Sequence, residues 1–163
     1  MQVTAQIRYP AAPEAVFAML TGEAFLRQLC EATGAVRHEV SVEANSLGAG
    51  VTTRRELPTD QVPHFIKRFV GHTLTVVRID LWQPAAADGS RQGTIEVHIA
   101  GAPVLMTGSL ALGPDGDGCL EAIDGDLKAS VPLIGAKIEQ STEPAIRSAL
   151  RKEEQLGLAW LAR

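Results

Sequence analysis

The chain lacks the features that would tie it to a membrane or to nucleic acid. No apolar run among its 163 residues approaches the roughly 20 that cross a bilayer, so stable membrane insertion by a helix is not expected. Basic charge is not in surplus: 15 Lys and Arg face 19 Asp and Glu, a net charge of -4. A duplex-binding domain needs a dense basic stripe to neutralise phosphates, so nucleic acid is not an expected partner. Cysteine is scarce. Cys30 and Cys119 lie far apart and form no CxxC, which removes the usual zinc-ribbon and redox spacings. The first residues, Met1 to Gln6, lack the charged segment and apolar core of a secretory signal. The expectation is a cytoplasmic protein with two reduced thiols.

The common catalytic signatures are also missing. His38, His64, His72 and His98 show neither HxH nor HExxH spacing, and no cysteine sits beside one of them. His64 and His72 flank one apolar segment and are expected at the surface. Asp115-Gly116-Asp117-Gly118 lacks the third ligand and the distal glutamate of a calcium loop, and is expected to be a hairpin turn. No GxSxG elbow is present, and Cys30 stands next to Glu31, whose charge disfavours a thiolate. Neither GxxxxGK[ST] nor GxGxxG occurs. No metal and no cofactor are expected.

What is present is the alternation of strands and the periodicity of helices. The length suits one domain, residues 1–163, large enough to bury roughly 70% of its unfolded surface without a metal or disulfide. Val3 to Arg8 alternate apolar and polar, and Pro10 ends that strand. Two short helices follow, one from Pro13 closed by Gly22, the other from Glu23 to Ala32 with Phe25, Leu26 and Leu29 on one face. Six strands come next: 36–42, 51–57, 73–82, 93–99, 104–112 and 120–129. Turn-rich links such as Asn45-Ser46-Leu47-Gly48 join most of them, which makes an antiparallel meander. Ile95, Val97 and Ile99 form an inward set, with Glu96 and His98 facing water. Between the third and fourth strands of the chain, Phe65, Ile66 and Phe69 share one side of a short helix or lid, and Lys67 and Arg68 the other.

From Pro132 the period is helical. Ile134, Ile138, Thr142, Ala145, Ala149, Leu156 and Trp160 form a stripe, widened by Ile146 and Leu150. Pro144 inside this segment predicts a kink, with Thr142 capping the second half. The stripe must be covered, and the concave face of the sheet is large enough to do so. The fold class is therefore α+β: a helix grip, in which a curved antiparallel sheet of about seven strands wraps a long C-terminal helix.

Several segments carry a family resemblance. RYPAAPEAVFAMLTGEAF resembles the strand-to-helix opening of the START-related superfamily (SRPBCC), which includes the birch pollen allergen and bacterial polyketide cyclases. RRELPTDQVPHFIKRFVG, GTIEVHIAGAPVLMTGSLAL and SVPLIGAKIE look more closely like an uncharacterised bacterial family within it. The resemblance spans nearly the whole chain and implies the same helix grip. The superfamily shares a cavity, not a catalytic motif, so the resemblance carries little chemistry.

The candidate site is that cavity. Its expected lining is Phe65, Phe69, Val97, Thr107, Ile134, Ile138, Thr142, Ala145 and Ala149, the alanines standing where a core would favour leucine. An empty space of about 300 Å³ would cost about 7 kcal/mol at ~24 cal/mol per Å³, so the gap is either filled by the protein or occupied. Acid–base candidates are few. Glu139 and Glu143 lie a turn apart near Lys137, while alternation turns Asp124 and Asp126 toward water and Ile123, Leu127 and Ala129 inward. The expected function is non-catalytic binding or transport of a small hydrophobic ligand, a lipid or a polyketide- or aromatic-like metabolite. One alternative is a cyclase-, aromatase- or hydratase-like enzyme, which requires two convergent titratable groups in the cavity. Another is an interaction protein with a closed pocket. Monomer and dimer are equally compatible with the sequence.

Overall fold

The computed structural model describes residues 1–163. Strand β1 (Gln2–Tyr9) buries Val3, Ile7 and Tyr9 on one face and ends before Pro10. Helix α1 (Pro13–Leu20) opens on Pro13, whose missing N–H costs nothing in a first turn. Helix α2 (Glu23–Ala32) buries Phe25, Leu26 and Cys30. It ends where the Thr33 hydroxyl donates to the carbonyls of Leu29 and Cys30, and Gly34 takes a φ of 90°. The remaining elements are β2 (Arg37–Asn45), β3 (Gly48–Pro58), α3 (His64–Val70), β4 (Thr73–Trp82), β5 (Arg91–Ile99), β6 (Val104–Asp115), β7 (Gly118–Ala129) and α4 (Gly135–Leu161).

All seven strands form one antiparallel sheet in the order β1-β7-β6-β5-β4-β3-β2. Its curved inner face holds Ile95, Met106, Leu110, Leu112, Ile123 and Leu127, covered by Val16 and Met19 of α1, Phe25 of α2, and Ile138 and Leu150 of α4. This is the helix grip. Two aromatic pairs lock the covering helices in place: Phe17 of α1 stands edge-on to Trp82 of β4, with ring centres 6.0 Å apart, and Phe25 of α2 to Trp160 of α4, at 5.5 Å.

Two details of α4 differ from the sequence expectation. The helix begins at Gly135, because Pro132 and Leu133 lie in a turn and Leu133 has a φ of 70°. It then runs through Pro144 without a break. Thr142 is not a cap for a second half: its hydroxyl donates to the Ile138 carbonyl at 2.7 Å, one turn back in the same helix.

Two glycines stand where neighbouring elements approach closely, one within the sheet and one between helix and sheet. Gly108 faces Gly125 across the β6–β7 ladder, and a Cβ on Gly108 would stand 2.0 Å from the Asp124 carbonyl oxygen and 2.6 Å from the Gly125 Cα. On α4, a Cβ on Gly157 would stand 2.7 Å from the Tyr9 ring. The backbone at Gly108 has no room to yield, so Gly108→Ala is expected to lower unfolding free energy in urea by about 2–3 kcal/mol. At Gly50 an added Cβ meets only the Leu81 side chain at ordinary contact distance. Gly50→Ala should therefore change stability by less than about 1 kcal/mol, and equal effects at the two positions would contradict this packing.

Candidate functional site

Alternation along β4 places Arg78 and Asp80 on the inner face together with Val76 and Trp82. Two residues apart on one face, opposite charges meet. The Arg78 Nε donates to both Asp80 carboxylate oxygens at 3.0 and 3.1 Å. Its Nη2 lies 2.9 Å from Asp80 Oδ2, and its Nη1 donates across the interior to Glu153 Oε2 of α4 at 2.6 Å. The Asp80 side chain is 10% exposed and that of Glu153 2%. On β7, Glu121 is fully buried, and one of its oxygens accepts a longer hydrogen bond from the Tyr9 hydroxyl, at 3.4 Å.

These groups hold their charges against burial to different degrees. Burial opposes the Arg78 charge, yet the Asp80 and Glu153 carboxylates hold its proton more firmly than usual. Burial lifts Asp80 above the normal carboxylate range, with Arg78 pulling the other way. Burial, reinforced by Glu153, raises Glu121 well above it. Burial likewise raises the Tyr9 phenol, with Glu121 adding to the shift. Two carboxylate oxygens, Glu121 Oε1 and Glu153 Oε1, are buried and receive no hydrogen bond from any protein group. An unsatisfied buried acceptor costs roughly 1–3 kcal/mol, which marks these two atoms as the polar focus of the interior.

They border a hollow of about 20 Å³ whose other walls are Leu20 of α1, Phe25, Leu26 and Leu29 of α2, and Val51 and Thr53 of β3. A second hollow of about 30 Å³ shares Leu26, Leu29, Thr53, Arg78 and Glu153 with the first and adds Cys30, Thr33, Arg55 and Ala149. Each is large enough for one or two water molecules. Arg55 donates to the Thr33 hydroxyl at 2.7 Å, and burial lowers its pKa. Burial acts the other way on the neighbouring Cys30 thiol and pushes it up. The site is therefore an acidic floor under an apolar wall, assembled from both short helices, three strands and α4.

Residues 4–161 match the family described as "Protein of unknown function (DUF2505)". The chain belongs to that family. No curated protein matches it in sequence. Among solved structures it is similar to TTHA0849 from Thermus thermophilus, at 16% identity and a TM-score of 0.62, covering 98% of each chain. It is similar to the Zhui aromatase/cyclase from Streptomyces sp. R1128, at 11% identity and a TM-score of 0.63, covering 100% of this chain and 94% of that one. Human STARD10 matches at 8% identity and a TM-score of 0.61, covering 99% of this chain and 64% of that one. At such identities the likeness establishes the fold alone, the helix grip.

In this DUF2505 chain the expected lining is largely displaced. Only Ala149 borders either hollow. Thr107 is a correction: β6 turns Val104, Met106 and Leu110 inward, so Thr107 and its neighbour Ser109 lie exposed on the outer face. Ala145 is another, since it is exposed on the solvent side of α4. Ile138 is fully buried, Thr142 is half-buried, and Phe65, Phe69, Val97 and Ile134 pack against the core at the far end of the grip. There Lys137 lies 4.4 Å from the centre of the Phe65 ring. Against the open space of about 300 Å³ that ligand sites need, the two hollows measure about 20 and 30 Å³.

The expected acid–base candidates fall elsewhere. Asp124 and Asp126 face outward, Asp126 beside the N-terminal amine at 3.2 Å. Glu139 accepts from the Ala129 amide at 3.0 Å, and Glu143 pairs with Arg147. His64 and His72 are exposed at the two ends of α3. Both cysteines are free and buried, with the Cys119 thiol pushed up by burial to about 11. The groups that do converge were within reach of the same alternation. Glu121 stands two residues before Ile123 on the same face of β7, and Glu153 lies one helical turn beyond Leu150.

Glu121 binds its proton more tightly in the folded chain than in the unfolded one. Its contribution to stability is complete below the ordinary value of 4.5 and is lost as pH rises toward the elevated folded value. Glu121→Gln cannot ionise, so this variant should gain steadily on the wild type as pH rises above 4.5. Urea midpoints recorded from about pH 4 to 8 check this, and a gap between the two proteins that does not change with pH contradicts it.

Proposed function

We propose that this chain binds a small, mainly apolar molecule non-covalently between α2, the inner face of the sheet and α4. The observation that carries the reading is the pair of buried carboxylate oxygens without protein donors, set beneath the side chains of Leu20, Phe25, Leu26 and Leu29. Ligand sites are mostly apolar with a few convergent polar groups that fix orientation, and this hollow has that composition. The rest of the grip is filled by Met106, Leu127 and Ile138, which favours a compact aromatic or polyketide-like metabolite over a long acyl chain. A molecule larger than a few waters enters by outward movement of α2, whose ends lie at Gly22 and Gly34.

A second reading, a cyclase- or hydratase-like enzyme, is favoured by the convergence of Glu121, Glu153, Asp80 and Tyr9. A buried carboxyl that keeps its proton, as Glu121 does, beside further carboxyl groups is what general acid chemistry requires. Turnover of a candidate substrate should then follow a pH profile that loses an inflection in Glu121→Gln; an unchanged profile removes Glu121 from the chemistry.

The binding reading is tested by uptake of naphthalene, followed by its fluorescence. Ala149→Trp fills the second hollow and should abolish uptake, while Ala145→Trp, on the solvent side of the same helix, should leave it intact. Undiminished uptake in a folded Ala149→Trp protein would contradict the site as drawn. No uptake by the wild type would favour a closed pocket and a role in protein–protein contact.

A further inference from the structure

The acidic floor has a chemistry of its own. Glu121 is 0% exposed and Glu153 2%, yet each has one oxygen that no protein group reaches, and both line the same hollow. The other oxygen of each is engaged: Glu121 Oε2 accepts from Tyr9, and Glu153 Oε2 from Arg78. What remains unfilled in this hollow is the hydrogen-bonding capacity of these two oxygens.

We infer that the ligand carries a hydrogen-bond-donating head, an amine or a hydroxyl, received jointly by Glu121 Oε1 and Glu153 Oε1, and that carboxylate-bearing molecules are rejected. The inference rests on the binding reading above and deepens it by fixing the chemistry of the polar group.

Three features support it. First, the nearest cation cannot serve an anion. Arg78 directs Nε and Nη2 at Asp80 and Nη1 at Glu153, so its carboxylate-binding edges are already taken. Second, an incoming carboxylate would meet the Asp80 and Glu153 carboxylates, which already share the Arg78 charge between them, in a desolvated space where like charges repel strongly. Third, the hollow is about the size of one water, a donor of two hydrogen bonds. An ammonium or hydroxyl group fits the same room and makes the same contacts, while its apolar body lies against Phe25, Leu26 and Leu29.

The test is a matched panel titrated by calorimetry and fluorescence: naphthalene, 2-naphthol, 2-naphthylmethylamine and 2-naphthoate. The two donor-bearing probes are expected to bind at least about tenfold more tightly than naphthalene, the usual scale for hydrogen bonds to charged groups. The naphthoate is expected not to bind measurably. In Glu121→Gln and Glu153→Gln the advantage of the donor-bearing probes over naphthalene, measured within each variant, should fall by about tenfold. Naphthoate binding as tightly as the amine would overturn the inference and point to Arg55 in the adjoining hollow. A donor advantage that survives both substitutions would also overturn it. Naphthalene binding with no preference among the four sinks the inference alone, whereas no binding of any probe sinks the binding reading beneath it. Should either variant fail to fold, the wild-type panel decides the matter by itself.

Discussion

A guanidinium in the interior of a domain has to be answered by carboxylates, and here the answer comes from two different layers. Arg78 holds Asp80 on its own strand and Glu153 on α4, so one charged group fixes where the long helix sits over the fourth strand. An ion group of this kind is weak as a source of net stability, because desolvation offsets most of its attraction. Its consequence is positional. Removing any one member would leave the others charged and buried, so the three stand or fall together, and helix and sheet stay in register. The same arrangement brings Glu121 and Tyr9 into an acidic neighbourhood and leaves two carboxylate oxygens turned toward the hollow.

The fold was legible because its signals are local. Alternation in Thr73–Trp82 marks that strand to the residue, and Pro13 and Gly22 bound the first helix. The site was less legible for a physical reason. A binary apolar and polar reading turns charged residues outward by default. Asp124 and Asp126 obey that default, while Glu121, on the same strand, violates it. Nothing within β7 distinguishes them except register, which is set by Ile123 and Leu127. Arg78 and Asp80 are an opposite-charge pair at a two-residue spacing, which permits burial as a pair; the third partner, Glu153, is 75 residues away and comes from another layer. The small residues on α4 misled in the other direction. Ala145 is simply exposed, and the close approach of helix to strand falls instead at Gly157, where a Cβ would stand 2.7 Å from the Tyr9 ring.

This arrangement changes what the grip can hold. A wide cavity would have cost stability comparable with that of the whole domain. The interior instead closes around Met106, Leu127 and Ile138 and keeps a small polar focus under α2. Closed packing and these two unpartnered oxygens are what the proposed selectivity for a compact molecule with a donor at one end rests on. No helix of the chain is long and apolar enough to cross a membrane.

The most direct measurement is a crystal structure of the protein as purified, with attention to the space between α2, Asp80 and Glu153. The account predicts density there beyond the protein, within hydrogen-bonding distance of Glu121 Oε1 and Glu153 Oε1. The contradictory result is an interior in which those two oxygens are bonded to each other or to protein donors, with the hollow closed by side chains.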